Sequence, residues 1–279
     1  MPAPAPPYAT GSPAAGYGYT SPIPIRETHL GHALASEWTK IKSVRSTVWT
    51  LSTTVVLIVG VGLLVAGSTD DRDFTDVPTT IPGLFGTMLG QLCVITLGVL
   101  VVTAEYGTGM IRTTFTASPQ RARVLTAKAL VFFVLAFTIT TASLVLVGLA
   151  SKGMHSGPDV MEPDTQQVLG GTVGAGLYVS LLGLLGLAVG SMLRHSAGAV
   201  TTMVGVVLLP SIIPVFLYTE SLSSVREKML EYSAPYALAG LFQINSDDLG
   251  SGWPQLGLLA GVTAVAYIGA FALLDRRDV

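Results

Sequence analysis

Glu105, Tyr106, Gly107, Gly109, Arg112, Arg121 and Lys128 fall in one short polar segment, 105–128, with long apolar sequence on either side. A carboxylate and several cations at this spacing do electrostatic work. They can pair with one another, dock another protein, or hold anionic headgroups at about 1 kcal/mol per Lys or Arg near a charged membrane surface. They are not a catalytic set. The four histidines, His29, His32, His155 and His195, are scattered; His29 and His32 stand three apart on a helix but have no third ligand. Cys93 is the only cysteine, which excludes an intramolecular disulfide and any multi-cysteine metal site, and its apolar neighbours make it a small hydrophobe. No Gly-x-x-x-x-Gly-Lys-Ser/Thr occurs, so this chain is not expected to bind ATP through a P-loop; Gly60-x-Gly62 completes no dinucleotide fingerprint. No His-Glu-x-x-His occurs, and the apolar segments lack the carboxylates that a membrane protease or a proton relay needs. The chain is therefore expected to carry no catalytic residue, no metal and no cofactor, and no nucleic-acid partner is expected.

The elements that must hold segment 105–128 are apolar. Half of the 279 residues are hydrophobic, mean hydropathy is +0.61 and charged residues are 11%, against about 25% in soluble domains. Six charge-free stretches lie between Arg45 and Asp70, Asp76 and Glu105, Lys128 and Lys152, Asp164 and Arg194, Arg194 and Glu220, and Asp248 and Asp275. Each is long enough for a membrane-spanning helix, which needs about 20 apolar residues. The segments of about 10 alternating residues that mark a membrane β-barrel do not occur. The expected fold is an all-α polytopic membrane protein with spans at about 47–68, 83–104, 125–150, 170–193, 197–218 and 254–274.

Positive charge sets the expected orientation. With both termini cytoplasmic, eleven of the fifteen Lys and Arg lie inside: Arg26, Lys40, Lys42, Arg45, Arg112, Arg121, Arg123, Lys128, Arg194, Arg276 and Arg277. Only Arg72, Lys152, Arg226 and Lys228 lie outside, together with most of the acidic residues. Residues 1–28 are rich in Pro, Ala, Gly, Ser and Tyr without hydrophobic period, and are read as a disordered tail; no basic start leads into an apolar core as in a signal peptide. Between 29 and 45, Leu30, Leu34, Trp38, Ile41 and Val44 recur every three or four residues with Lys40 and Lys42 beside them. This predicts an amphipathic helix lying in the membrane interface.

Local signals divide the polar segment. Gly107 and Gly109 allow a turn, Met110–Ala117 is long enough for two helical turns, and Ser118-Pro119 reads as the N-cap and first residue of the next helix. Gly170/Gly174 and Gly186/Gly190 are small-xxx-small pairs, suited equally to packing within one chain and to a dimer seam. Pro210 and Pro214 interrupt the fifth span. The long segment 219–253 leaves room for a short re-entrant or interfacial helix over Met229–Gln243, broken at Pro235.

Glu105-Tyr-Gly-Thr-Gly-Met-Ile-Arg112, then Ser118-Pro119-Gln-Arg121 and Lys128, resembles the loop between the second and third spans of ABC-2 type transporter permeases, the membrane subunits of bacterial ABC exporters. The amphipathic helix, the six spans, the long outer segment and the ending Leu273-Leu-Asp-Arg-Arg277 extend the resemblance over most of the chain beyond residue 28. The longer Pro-rich leader departs from the family pattern. The resemblance implies a multi-pass protein of the bacterial plasma membrane that pairs with a second permease subunit, identical or not, around a path lined by the second and fifth spans. It implies a separate ABC ATPase that uses ATP and Mg and docks on Tyr106–Ala117. Glu105 and Arg112 would orient that docking helix through a salt bridge with each other or with the partner, Gly107 and Gly109 would tether it, and Arg121 and Lys128 would flank it. Helix 30–45, with Leu34, Trp38, Lys40 and Lys42, would touch the ATPase or adjoining lipid. Without the resemblance, the same residues also suit an energy-independent channel or a structural or sensory membrane anchor. An intramembrane enzyme has little to draw on beyond Gln91, Tyr178 and Gln255.

Overall fold

Long apolar runs with no internal charge satisfy their backbone only as helices, and the chain folds accordingly. The computed structural model describes residues 29–117, 120–244 and 250–276. The tail 1–28, the Ser118-Pro119 cap and the end of the chain from residue 277 lie outside these. No strand occurs among the described residues. In chain order the helices are α1 (Leu30–Ser43), α2 (Arg45–Ser68), α3 (Pro82–Gly107), α4 (Met110–Ala117), α5 (Arg121–Met154), α6 (Thr165–Leu193), α7 (Ser196–Phe216), α8 (Ser223–Glu231), α9 (Ala234–Leu241) and α10 (Trp253–Arg276). Six of them, α2, α3, α5, α6, α7 and α10, are long and apolar enough to cross a membrane, the architecture of a multi-pass membrane protein.

Helices α3 and α6 form the buried centre, and the other four long helices pack around them. Glycine brings the central pair together. A Cβ on Gly98 of α3 would collide with the backbone carbonyl of Gly183 on α6, and one on Gly183 would meet Phe132 of α5 and Val94 of α3. Gly186 and Gly190 likewise face α3, and Gly170 and Gly174 face Leu241 at the end of α9. The small-residue pairs of α6 are thus used inside this chain. On the outer helices, Trp49, Leu64, Val265 and Ile268 are exposed, which suits a lipid solvent.

Two π-turns interrupt the helical ladder, at Val56–Val61 in α2 and Gly170–Gly174 in α6. Each lies at a close backbone approach. The Ile58 carbonyl of the first sits where a Cβ on Gly86 of α3 would be, and Gly170 of the second lies against the Leu241 carbonyl. Pro214 opens the 3-10 turn that ends α7. Segment 219–253 holds two short helices. The first ends at Glu231, and Pro235 sits in the opening turn of α9 instead of breaking a helix, as suits a residue with no N–H to donate. Helix α9 is buried through Ala237, Leu238 and Leu241 and packs against α6, α7 and α10.

At the end of the bundle remote from α1, His155 closes the tip of α5 onto α2. Its Nδ1 lies 2.9 Å from Asp71 Oδ1 and its Nε2 lies 2.9 Å from the Ala66 carbonyl oxygen. The Phe74 ring stands 4.6 Å from the imidazole. The opposite end gathers α1, α4 and the polar segment.

Candidate functional site: a buried ion cluster at the α1 end

Helix α1 turns a charged face, not its apolar one, toward the protein. Glu37 and Ile41 are buried, while Leu30, Trp38 and Val44 stay exposed. Lys42 lies over the Trp38 ring, 4.7 Å from its centroid, and Leu34 is half-buried. The buried face meets the last turn of α3 and the first turns of α5, which contribute Glu105 and Lys128.

Four charges close on one another there. Lys128 Nζ donates to Glu37 Oε2 at 2.6 Å and to Glu105 Oε1 at 2.8 Å. Lys40 Nζ donates to Glu37 Oε1 at 2.8 Å and to Glu105 Oε1 at 2.9 Å. The side chains of Lys128, Glu37 and Glu105 are 3%, 4% and 9% exposed, and that of Lys40 is 26% exposed. Two carboxylates face two ammonium groups, so the cluster is balanced by count. That balance is what permits its burial, because an unpaired charge in such surroundings costs several kcal/mol. Burial alone would lower the Lys40 pKa, but the hydrogen bonds and charges of Glu37 and Glu105 outweigh it and hold it above the ordinary lysine value. One acceptor atom is left over: Glu105 Oε2 is buried without a hydrogen-bond partner among the described residues.

The short helix α4 hangs beside this cluster. Gly109 takes φ +73°, the left-handed region that glycine enters without strain, and turns the chain out of α3. Gly107 remains helical as the last residue of α3, so a single glycine makes the turn. Thr114 Oγ1 of α4 lies 3.5 Å from Lys40 Nζ, and Ile111 is buried beneath the helix. Arg112 is exposed, and no carboxylate among the described residues lies within 4 Å of it. A Glu105–Arg112 salt bridge does not form, because Glu105 points into the bundle toward the two lysines while Arg112 points out.

Two aromatic–cation stacks brace the periphery. Arg121 lies over Phe115 of α4, 5.4 Å from the ring centroid, and its Nη1 donates to the Leu274 carbonyl of α10 at 3.1 Å. Arg194, in the left-handed conformation that ends α6, lies over Tyr106, 5.1 Å from the ring centroid. The α1 end thereby ties α1, α3, α4, α5, α6 and α10 to one another.

The chain matches no protein-family model and none of the curated proteins.

Of the residues named from sequence, Lys40, Glu105 and Lys128 come together in the cluster. Tyr106 and Arg121 lie at its rim. Gly109 makes the turn, and Arg112, Trp38 and Lys42 face outward. Glu37 was overlooked. Its signal was available: it is the only acid between His29 and Arg45 and stands three residues before Lys40. Hydropathy assigns the inner face to apolar residues, and here the inner face is ionic. No group of three or more His, Cys, Asp or Glu able to hold a metal occurs among the described residues.

Proposed function

We propose that this chain is the membrane permease subunit of an ATP-binding-cassette exporter, coupled to a separate cytosolic ATPase through α4. The observation that carries the reading is the ion cluster. A short helix on a glycine turn sits against a buried four-charge joint that fastens α1, α3 and α5 together. A force applied to an unanchored loop would dissipate in the loop. Applied to α4, it meets Ile111 in the protein interior and Thr114 at Lys40, and three helices must respond together. Exposed Met110, Arg112, Thr113 and Thr116 supply the docking face.

In this reading both termini and the α1 end are cytoplasmic and the protein resides in the bacterial plasma membrane. Helix α1 lies in the interface with Trp38 and Leu30 toward lipid and Lys42 toward headgroups. The resemblance in segment 105–128 and the distribution of Lys and Arg support this. The partner binds ATP and Mg, two permease subunits pair, and the chain itself catalyses nothing.

The test is reconstitution with the cognate ATPase. Arg112→Ala, on the exposed face of α4, is expected to lower permease-stimulated ATP hydrolysis and transport while leaving expression and melting temperature unchanged. Glu105→Ala is expected to lower coupling together with stability. Unchanged coupling in both variants would remove the role assigned to these residues. Substrate flux through liposomes holding this chain alone would favour an energy-independent channel.

A further inference from the structure

Of the four histidines only His155 is buried, its side chain 7% exposed. It caps α5, where its own amide donates to the Ser151 carbonyl. Its ring is wedged between the last turn of α2 and the 3-10 turn Asp71–Phe74. Both ring nitrogens meet acceptors. The Ala66 carbonyl oxygen, 2.9 Å from Nε2, can only accept, so Nε2 carries a hydrogen. A neutral imidazole has no second N–H. Its Nδ1 would then set a lone pair against Asp71 Oδ1 at 2.9 Å, and two acceptors do not close to that distance without a proton between them. Closure of the α5 tip onto α2 therefore holds one proton that a neutral histidine beside a carboxylate lacks.

Among the described residues no other charge is paired with the ring. The last turn of α2 brings only the Ala66 backbone to it. On the 3-10 turn, Asp70, Arg72 and Asp73 are exposed, and Asp73 accepts from the Asp70 amide. Lys152, one turn back on α5, pairs with Glu162 at 3.0 Å; the two share with His155 and Thr79 a polar recess of about 150 Å³. Asp159, on the segment that follows α5, is exposed. The Asp71 side chain is 52% exposed, which gives the proton a way to water. Its other oxygen packs on Gly157, and the Met161 amide donates to the Phe74 carbonyl at 2.8 Å. What fastens His155 thus fastens segment 155–161 as well.

We infer that His155 and Asp71 form a proton-operated latch at the end of the bundle remote from α1. With the proton bound, both ring nitrogens donate, and the tip of α5 is held to α2 and to the turn 71–74. Loss of the proton to solvent leaves Nδ1 and Asp71 as two facing acceptors; that contact breaks and segment 155–161 is released. The closed latch binds one more proton than the open one, so opening becomes easier as pH rises. In the exporter reading this end faces outside, but the latch rests on the ring geometry alone.

Hydrogen exchange of the full chain in lipid nanodiscs, at about pH 5.5 and about pH 8.5 on either side of the range in which histidine changes charge and corrected for intrinsic rate, reads the latch through the amides of 155–161. Their protection is expected to fall about tenfold or more at the higher pH, the equivalent of one charge-assisted hydrogen bond, while the core of α6 is unchanged. Asp71→Asn supplies a donor: its amide can bond Nδ1 of a neutral imidazole while Nε2–H keeps Ala66. This variant is expected to stay protected at both pH values, and His155→Phe to be open at both. If the variants fail to fold, nitrogen NMR of the histidine-labelled parent still decides, with both nitrogens of His155 expected to be protonated where the segment is protected. Parent protection that is flat or rises with pH, a full pH response retained by Asp71→Asn, or a closed state whose Nδ1 has no proton would overturn the latch.

Discussion

Replacing Lys128 by Met tests the ion cluster most directly. Its ammonium is almost fully buried and holds both Glu37 and Glu105. Methionine matches the length of the stem but brings no charge. Lys40, which is partly exposed, must then balance two buried carboxylates alone. Breaking a buried pair by removing one partner costs about 3–5 kcal/mol, because the orphaned charge stays behind. Removing one charge of each sign should cost less. In Glu105→Leu/Lys128→Met the Glu37–Lys40 pair survives and the cluster is again neutral, leaving only the Glu37 Oε2 that Lys128 served without its donor, so the double variant is expected to cost about 1–3 kcal/mol, less than Lys128→Met alone. Reversible unfolding in mixed micelles of rising denaturing-detergent fraction, followed by tryptophan fluorescence, measures both. A Lys128→Met cost below about 1 kcal/mol, as for an exposed ion pair, would refute the argument. So would a double variant as unstable as Lys128→Met.

Three further outcomes follow from the same packing and electrostatics. Gly98→Ala sets a methyl group against the Gly183 backbone and is expected to destabilise by about 1–3 kcal/mol, whereas Gly257→Ala on α10, where a Cβ meets open space, should stay within about 0.5 kcal/mol of the parent in the same unfolding assay. The Lys40 pKa is raised by folding, so its contribution is complete below the unfolded value of about 10.5 and is lost as pH rises through the folded value above it; the Tm difference between the parent and Lys40→Met should therefore be constant from about pH 8 to 10 and shrink at higher pH. His155→Phe keeps a ring against Phe74 but loses the bonds to Ala66 and Asp71, at an expected cost of about 1–3 kcal/mol; a melting temperature unchanged from the parent would show that these bonds hold nothing.

The six long helices were legible because each is written as an uninterrupted apolar run, and length alone separates such a run from a buried soluble helix. The turn after α3 was legible to within two residues, since Gly107 and Gly109 both offered themselves and only Gly109 takes the positive φ. The partners of Glu105 were not legible. Arg112 is the nearer cation in sequence, but helix geometry sends the last turn of α3 inward, and Lys40 comes from 65 residues away. Glu37 was hidden by the assumption that a buried helix face is apolar, which fails where charges are exchanged for one another and not for water. The π-turns left no signature in composition, because they arise from how one helix must meet its neighbour.

The π-turn of α2 has an angular consequence. Thr54, Ile58, Gly62 and Ala66 are all buried, four residues apart each time. In an uninterrupted α-helix the twelve residues from Thr54 to Ala66 overshoot three full turns by about 120°, which would swing Ala66 away from the face Thr54 occupies. A single π-turn absorbs one extra residue, about 100° of that rotation, and returns Ala66 to within about 20°. The helix carries a built-in vernier. Without it the Ala66 carbonyl would point away from His155, and the two ends of the first span could not both be docked at once. Deleting one residue from 56–61 would remove the need for the π-turn: the eleven remaining steps advance about 1100°, again within about 20° of three full turns, so a straight α2 could keep both its joint beneath α1 and its closure at His155, whereas inserting one more residue could not be absorbed by the same turn.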